Sequence, residues 1–168
     1  PPTMLVLTAD NVVAGGTARS ASAGEALVIL APEVPRKLDT NRVPVQIDNS
    51  NIAYIKDAFW ADKPARLIQL LLTETIAAKT GRLVLNEVDA GGKAQQYISG
   101  SLLEFGVDAA TNEAIVVYDA VKLVRGQPTE KRRFEVRRPV SEVQAATAGA
   151  ALNQAANDVA LQIADWVG

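Results

Sequence analysis

Short apolar runs and longer periodic stretches alternate along this chain, and their spacing predicts its elements. Residues 4–8, 26–31, 43–47 and 52–55 are brief apolar or alternating runs bounded by Gly, Pro or Asn/Asp signals, as strands are. Between them, residues 11–24 are rich in Gly, Ala, Ser and Thr and predict a flexible loop with little to bury. Pro32 and Pro35 impose an extended connection, and Asp48 to Asn51 is a turn signal. Residues 63–80 change period. Leu67, Leu71 and Ala78 recur on one helical face with Ile68, Leu72 and Ile76 beside them. Asp62 is placed to cap this helix, Pro64 suits its first turn and Gly81 its end.

Further strands are expected over 82–88, 95–105, 112–124 and 132–138, with Ala90-Gly91-Gly92 as a turn. Gly126-Gln127-Pro128 separates the last two strands, which then form a hairpin. Ser141 with Gln144 reads as a capping box, with Val140 and Ala145 as its hydrophobic staple. The helix that follows, about 141–167, carries Ala145, Ala148, Leu152, Ala156, Val159, Ile163 and Trp166 on one face. Gly149 lies on that face too, at a loss of helix propensity. Runs of strands without strict strand–helix alternation predict an α+β fold. It is a mostly antiparallel sheet of about six strands covered by two amphipathic helices, in one domain over residues 1–168.

Composition narrows the function. The 168 residues are 48% hydrophobic and 21% charged, which fits a chain that buries a core. Aromatics make up only 5%, so Ala, Val, Leu and Ile must do most of the packing. A net charge of −2 argues against a nucleic-acid partner. The chain has no His and no Cys, which removes the commonest general base, the thiol nucleophile and nitrogen or sulfur metal ligands. Asp39, Asp48, Asp57 and Asp62 lack the spacing of a calcium loop and suit turns and caps. No G-x-S-x-G motif is present, although a Ser–Lys pairing stays open, and Glu74, Glu87 and Glu104 show nothing that would set their acidities apart. The glycine pairs 15–16 and 91–92 do not continue into a phosphate loop. The expectation is a non-enzymatic protein without metal or cofactor. No apolar run reaches the roughly 20 residues of a membrane span. The chain opens on Pro1 without a signal-peptide pattern, so a leading segment is expected to have been removed.

Two groups are candidate binding residues. Lys131, Arg132, Arg133, Arg137 and Arg138 form a basic cluster in which alternation puts Lys131, Arg133 and Arg137 on one strand face and Arg132, Phe134, Val136 and Arg138 on the other. It either meets anionic headgroups or an acidic partner, or is a solvated face balanced by Glu130 and Glu135. Tyr54, Phe59 and Trp60 are the densest aromatic group, and they either offer an apolar contact surface or close the core beneath the first helix.

Residues 38–76 carry a more specific pattern: Leu38 and Asp39 before Arg42, then Tyr54, then Trp60-Ala61-Asp62 and the Leu70 to Leu72 helix. Phe134 before a proline and Trp166 late in an Ala-rich helix extend it. In these features the chain closely resembles the ABC-type transport auxiliary lipoprotein family, associated with mammalian-cell-entry and paraquat-inducible systems. The resemblance implies a periplasmic protein held at the outer membrane by a lipidated N-terminal Cys, which this sequence lacks. A chain cut just after the lipidation site would explain that. It also implies a mammalian-cell-entry-domain protein as partner and, through it, a permease and an ATPase, with homo-oligomeric assembly as an option. The implied role is assisting lipid transport between membranes. Direct lipid carriage and, less favoured, an envelope hydrolase are the alternatives.

Overall fold

Seven strands form one mixed sheet in the computed structural model, which describes residues 3–168. The spine is a meander of β5 (Gln96–Asp108), β6 (Glu113–Val124) and β7 (Glu130–Pro139), antiparallel throughout. On the other side of β5 the neighbours change along its length. Near its start it pairs in parallel with β1 (Leu27–Ile29), which also pairs with the two-residue β4 (Val84–Leu85). Near its end it pairs in parallel with β2 (Arg42–Gln46), which forms an antiparallel hairpin with β3 (Ile52–Phe59).

An irregularity in β5 makes this split workable. Leu102 pairs with Tyr118 but Glu104 with Val117, so Leu103 is one residue in excess. Such a bulge bends a strand and exchanges its faces. Accordingly Ile98 and Leu102 are buried in the main core before it, and Phe105 and Val107 after it. Beyond the bulge β2 comes very close. A Cβ on Gly106 would lie 2.3 Å from the Pro44 carbonyl oxygen, so only glycine fits there.

Helices α1 (Pro64–Thr80) and α3 (Ala145–Val167) lie against each other and cover one face of the sheet. Ile68, Leu71, Leu72 and Ile76 of α1 and Leu152, Val159 and Ile163 of α3 join the core, with Ala148, Ala155, Ala156 and Ala160 allowing close approach. Phe134 and Trp166 meet edge to face at 5.7 Å, which joins the two late aromatics. A smaller cluster of Val28, Ala90 and Ala94 lies apart from this core and includes the last residue of the short helix α2 (Glu87–Ala90).

The α+β class and the two covering helices are as expected, with a seventh strand and parallel pairings for β1, β2 and β4. Four local expectations are corrected. Residues 4–8 are not a strand. Leu5 makes one bridge to Trp60, and the backbone beyond it is bonded by helix side chains. Residues 82–88 shorten to β4, because Asn86 accepts from the Asp89 N–H (2.7 Å) and starts α2. Asp62 does not cap α1. Its carboxylate accepts from the Lys63 N–H, and the first turn closes on the Lys63 carbonyl. The capping box at Ser141 does not form either. Thr147 and the Gln144 N–H both donate to the Glu142 carbonyl, holding that stretch as a turn, and α3 begins at Ala145.

Candidate docking surface

The three candidate aromatics separate. Trp60 is fully buried and stacks on Phe105 with centroids 5.1 Å apart, so its ring closes the core. Tyr54 and Phe59 stay at the surface of the β2–β3 hairpin, and Phe59 is 36% exposed. Here β3 needs five residues to match two of β2, pairing Tyr54 with Pro44 and Phe59 with Arg42. Asp57 takes up part of the excess in a left-handed conformation (φ 56°), which Asp tolerates better than most residues.

This bulge brings both rings to Arg42. Its guanidinium carbon lies 4.9 Å from the Tyr54 ring centre and 5.8 Å from that of Phe59, within cation–π range. Tyr54 donates its hydroxyl hydrogen to the Lys37 carbonyl (3.2 Å), and Lys37 is paired with Glu104 (2.7 Å). β3 ends the sheet, and outside the Leu5 bridge at Trp60 its outer edge has no strand partner among the described residues. Arg42 was legible only as part of the family pattern. Nothing in its sequence neighbourhood announced the aromatic grip, because the five-to-two register is set by folding.

The basic cluster divides as alternation required, and its charges are largely matched within the chain. Arg133 makes a forked pair with Asp119 (2.6 and 2.9 Å), holding that carboxyl below the usual carboxylate range while its own pKa rises. Arg137 reaches Asp108, Glu113 and Glu135, and its bond to Asp108 lowers that acid likewise. On the other face Arg132 lies over Phe134, and Arg138 pairs with Asp158 of α3.

A second feature was missed in the sequence. Residues 5–10 form a strap across the helix pair, read through its backbone by two asparagines. Asn153 accepts from the Thr8 N–H (2.8 Å). Asn157 accepts from the Asp10 N–H (2.8 Å) and donates to the Thr8 carbonyl (2.9 Å). Leu5 sits on Gly149, where a Cβ would come within 2.8 Å of its side chain. The available signal was an i, i+4 Asn pair on an Ala-rich helix. Beside the strap is an open depression of about 420 Å³ lined by Leu7, Ala9, Val12, Leu67, Leu70 and Leu71. Among the described residues no group of three or more acidic side chains is arranged to hold a metal ion, and no helix is long and apolar enough to cross a membrane.

The sequence matches the model of a family described as the ABC-type transport auxiliary lipoprotein component, over residues 7–164. The chain belongs to this family. Solved structures agree on the fold. Protein XCC0632 from Xanthomonas campestris, a DUF330 protein, superposes with a TM-score of 0.72 at 18% identity, over 99% of this chain and 92% of its own. The crystal structure of an uncharacterized protein gives a TM-score of 0.74 at 17% identity, over 86% of this chain and 93% of its own. No curated protein matches the sequence. The strap residues from Leu7 onward, the β2–β3 hairpin, α1 and all but the last three residues of α3 fall within the family match.

Proposed function

We propose that this auxiliary lipoprotein is a non-catalytic periplasmic subunit that docks on mammalian-cell-entry-type transporter proteins and assists lipid transport between membranes. An N-terminal lipid holds it at the outer membrane. The observation that carries the reading is the family match across residues 7–164, which makes the chain an accessory of ABC-type transport. The β2–β3 edge, with Tyr54 and Phe59 at its surface, supports docking as the mode of action, since aromatic and Arg side chains on an open edge suit protein recognition. The test is retention of the periplasmic region of the cognate mammalian-cell-entry protein on the immobilised chain. No retention across several salt concentrations would overturn the reading.

Direct lipid carriage is favoured by a separate observation, the apolar depression between strap and α1. Native mass spectrometry of protein purified from cells decides this point. A lipid adduct supports carriage, and a bare mass speaks for docking alone.

A further inference from the structure

Arg42 differs from every other partly buried cation among the described residues. Arg19 and Arg82 donate to backbone carbonyls, Lys37 to Glu104, and Lys122 to the Trp166 carbonyl and to Glu130. Arg42 has two aromatic rings and no oxygen. Its Nε is buried without an acceptor, and its guanidinium has neither hydrogen bond nor ion pair among the described residues. A guanidinium over a ring keeps its N–H fork, which lies in its own plane, free for an oxyanion. The two terminal nitrogens, unlike Nε, are not closed off, and a desolvated guanidinium without an acceptor gains from an incoming carboxylate that meets them.

We propose that Arg42, held by Tyr54 and Phe59, is the receptor for a carboxylate side chain of a protein that docks along the β3 edge. The charge count favours a protein over a membrane. Residues 36–63 carry five Lys or Arg against four Asp, whereas anionic bilayers are recognised by clusters of about four to eight basic residues. Lys37 and Lys63 are also matched already, by Glu104 and Asp39. The apolar depression that could take an acyl chain is lined by the strap and α1, not by Arg42, Tyr54 or Phe59. The open edge of β3 supplies unpaired backbone for an extended segment, and the Arg42 fork adds selection for acid.

The inference rests on the docking reading, and its test separates the two. Binding of the periplasmic region of the cognate mammalian-cell-entry protein is measured by interferometry for wild type, R42K and R42M, with thermal unfolding as the folding control. R42M should weaken binding by about tenfold or more, as central Arg residues in interfaces do, with R42K between the two. R42M binding as tightly as wild type would overturn the inference and leave docking intact. If R42M does not fold, R42K decides in the same way. No binding by wild type overturns the docking reading. The inference is then judged by the Arg42 Nε–Hε NMR signal during titration with a hexa-aspartate peptide, where a saturable shift sustains it and no shift overturns it. In a vesicle arm, sedimentation with phosphatidylglycerol–phosphatidylethanolamine vesicles should be unaffected by R42M. Loss of sedimentation in R42M would assign the site to a headgroup and overturn the protein-partner proposal.

Discussion

Asp119 sits on a β6 face whose neighbouring residues, Ile115 and Val117, are apolar and buried, and the Arg133 fork makes an ionised acid tolerable there. Because the folded carboxyl has a lowered pKa, its contribution to stability is fully present above the ordinary Asp value of about 3.9. That contribution disappears as pH falls through the lower, folded value. Asp108, lowered by Arg137, titrates in the same direction. Chemical denaturation at pH 7 and pH 3 should therefore show acid destabilisation in wild type and a smaller loss in Asp119→Asn. An equal loss in both would mean that the pair does not couple to folding. The sequence could place Arg133 and Arg137 on one face but could not show their acids, because Asp119 and Asp108 come from other strands.

At the level of elements, one tight constraint is where β2 meets β5. Gly106→Ala would press a methyl group against the Pro44 carbonyl and should cost about 2 kcal/mol or more, read as a shift in urea midpoint. Stability like that of wild type would show that β2 can retreat. The strap depends on Asn157, which is 1% exposed. Asn157→Ala removes its partners at Thr8 and Asp10 and should cost about 1–3 kcal/mol, with faster amide exchange at Asp10. Unchanged exchange there would show that Leu5 and Asn153 hold the strap without Asn157. Both long helices were readable in the sequence because their stripes are local, and so was the β6–β7 hairpin with its Gly-Gln-Pro break. Pro64 in the first turn of α1 and Gly81 at its end were readable too, but the N-caps were not, since the Asp62 carboxylate turns to the Lys63 N–H and the Glu142 carbonyl takes the Gln144 N–H and Thr147. The parity change at Leu103 and the strap were equally hidden, because each depends on a partner far along the chain.

At the scale of the whole molecule, the β5–β6–β7 meander is built from neighbours in sequence, whereas β1 and β2 must find β5 across long loops. The longest hydrogen-bonded closures among the described residues join Thr8 and Asp10 to Asn157 and Thr8 to Asn153, separated by 149, 147 and 145 positions. Contacts of that separation form late, after the loops between them have been ordered. Refolding followed by pulsed amide labelling should thus protect β5 and β6 early and the Thr8 and Asp10 amides last, and early protection at Asp10 would contradict this order. The same two asparagines that fix the strap make the two ends of the chain interdependent in time. During synthesis Thr8 and Asp10 leave the ribosome long before the helix that seats them exists, so a segment made early is finished last.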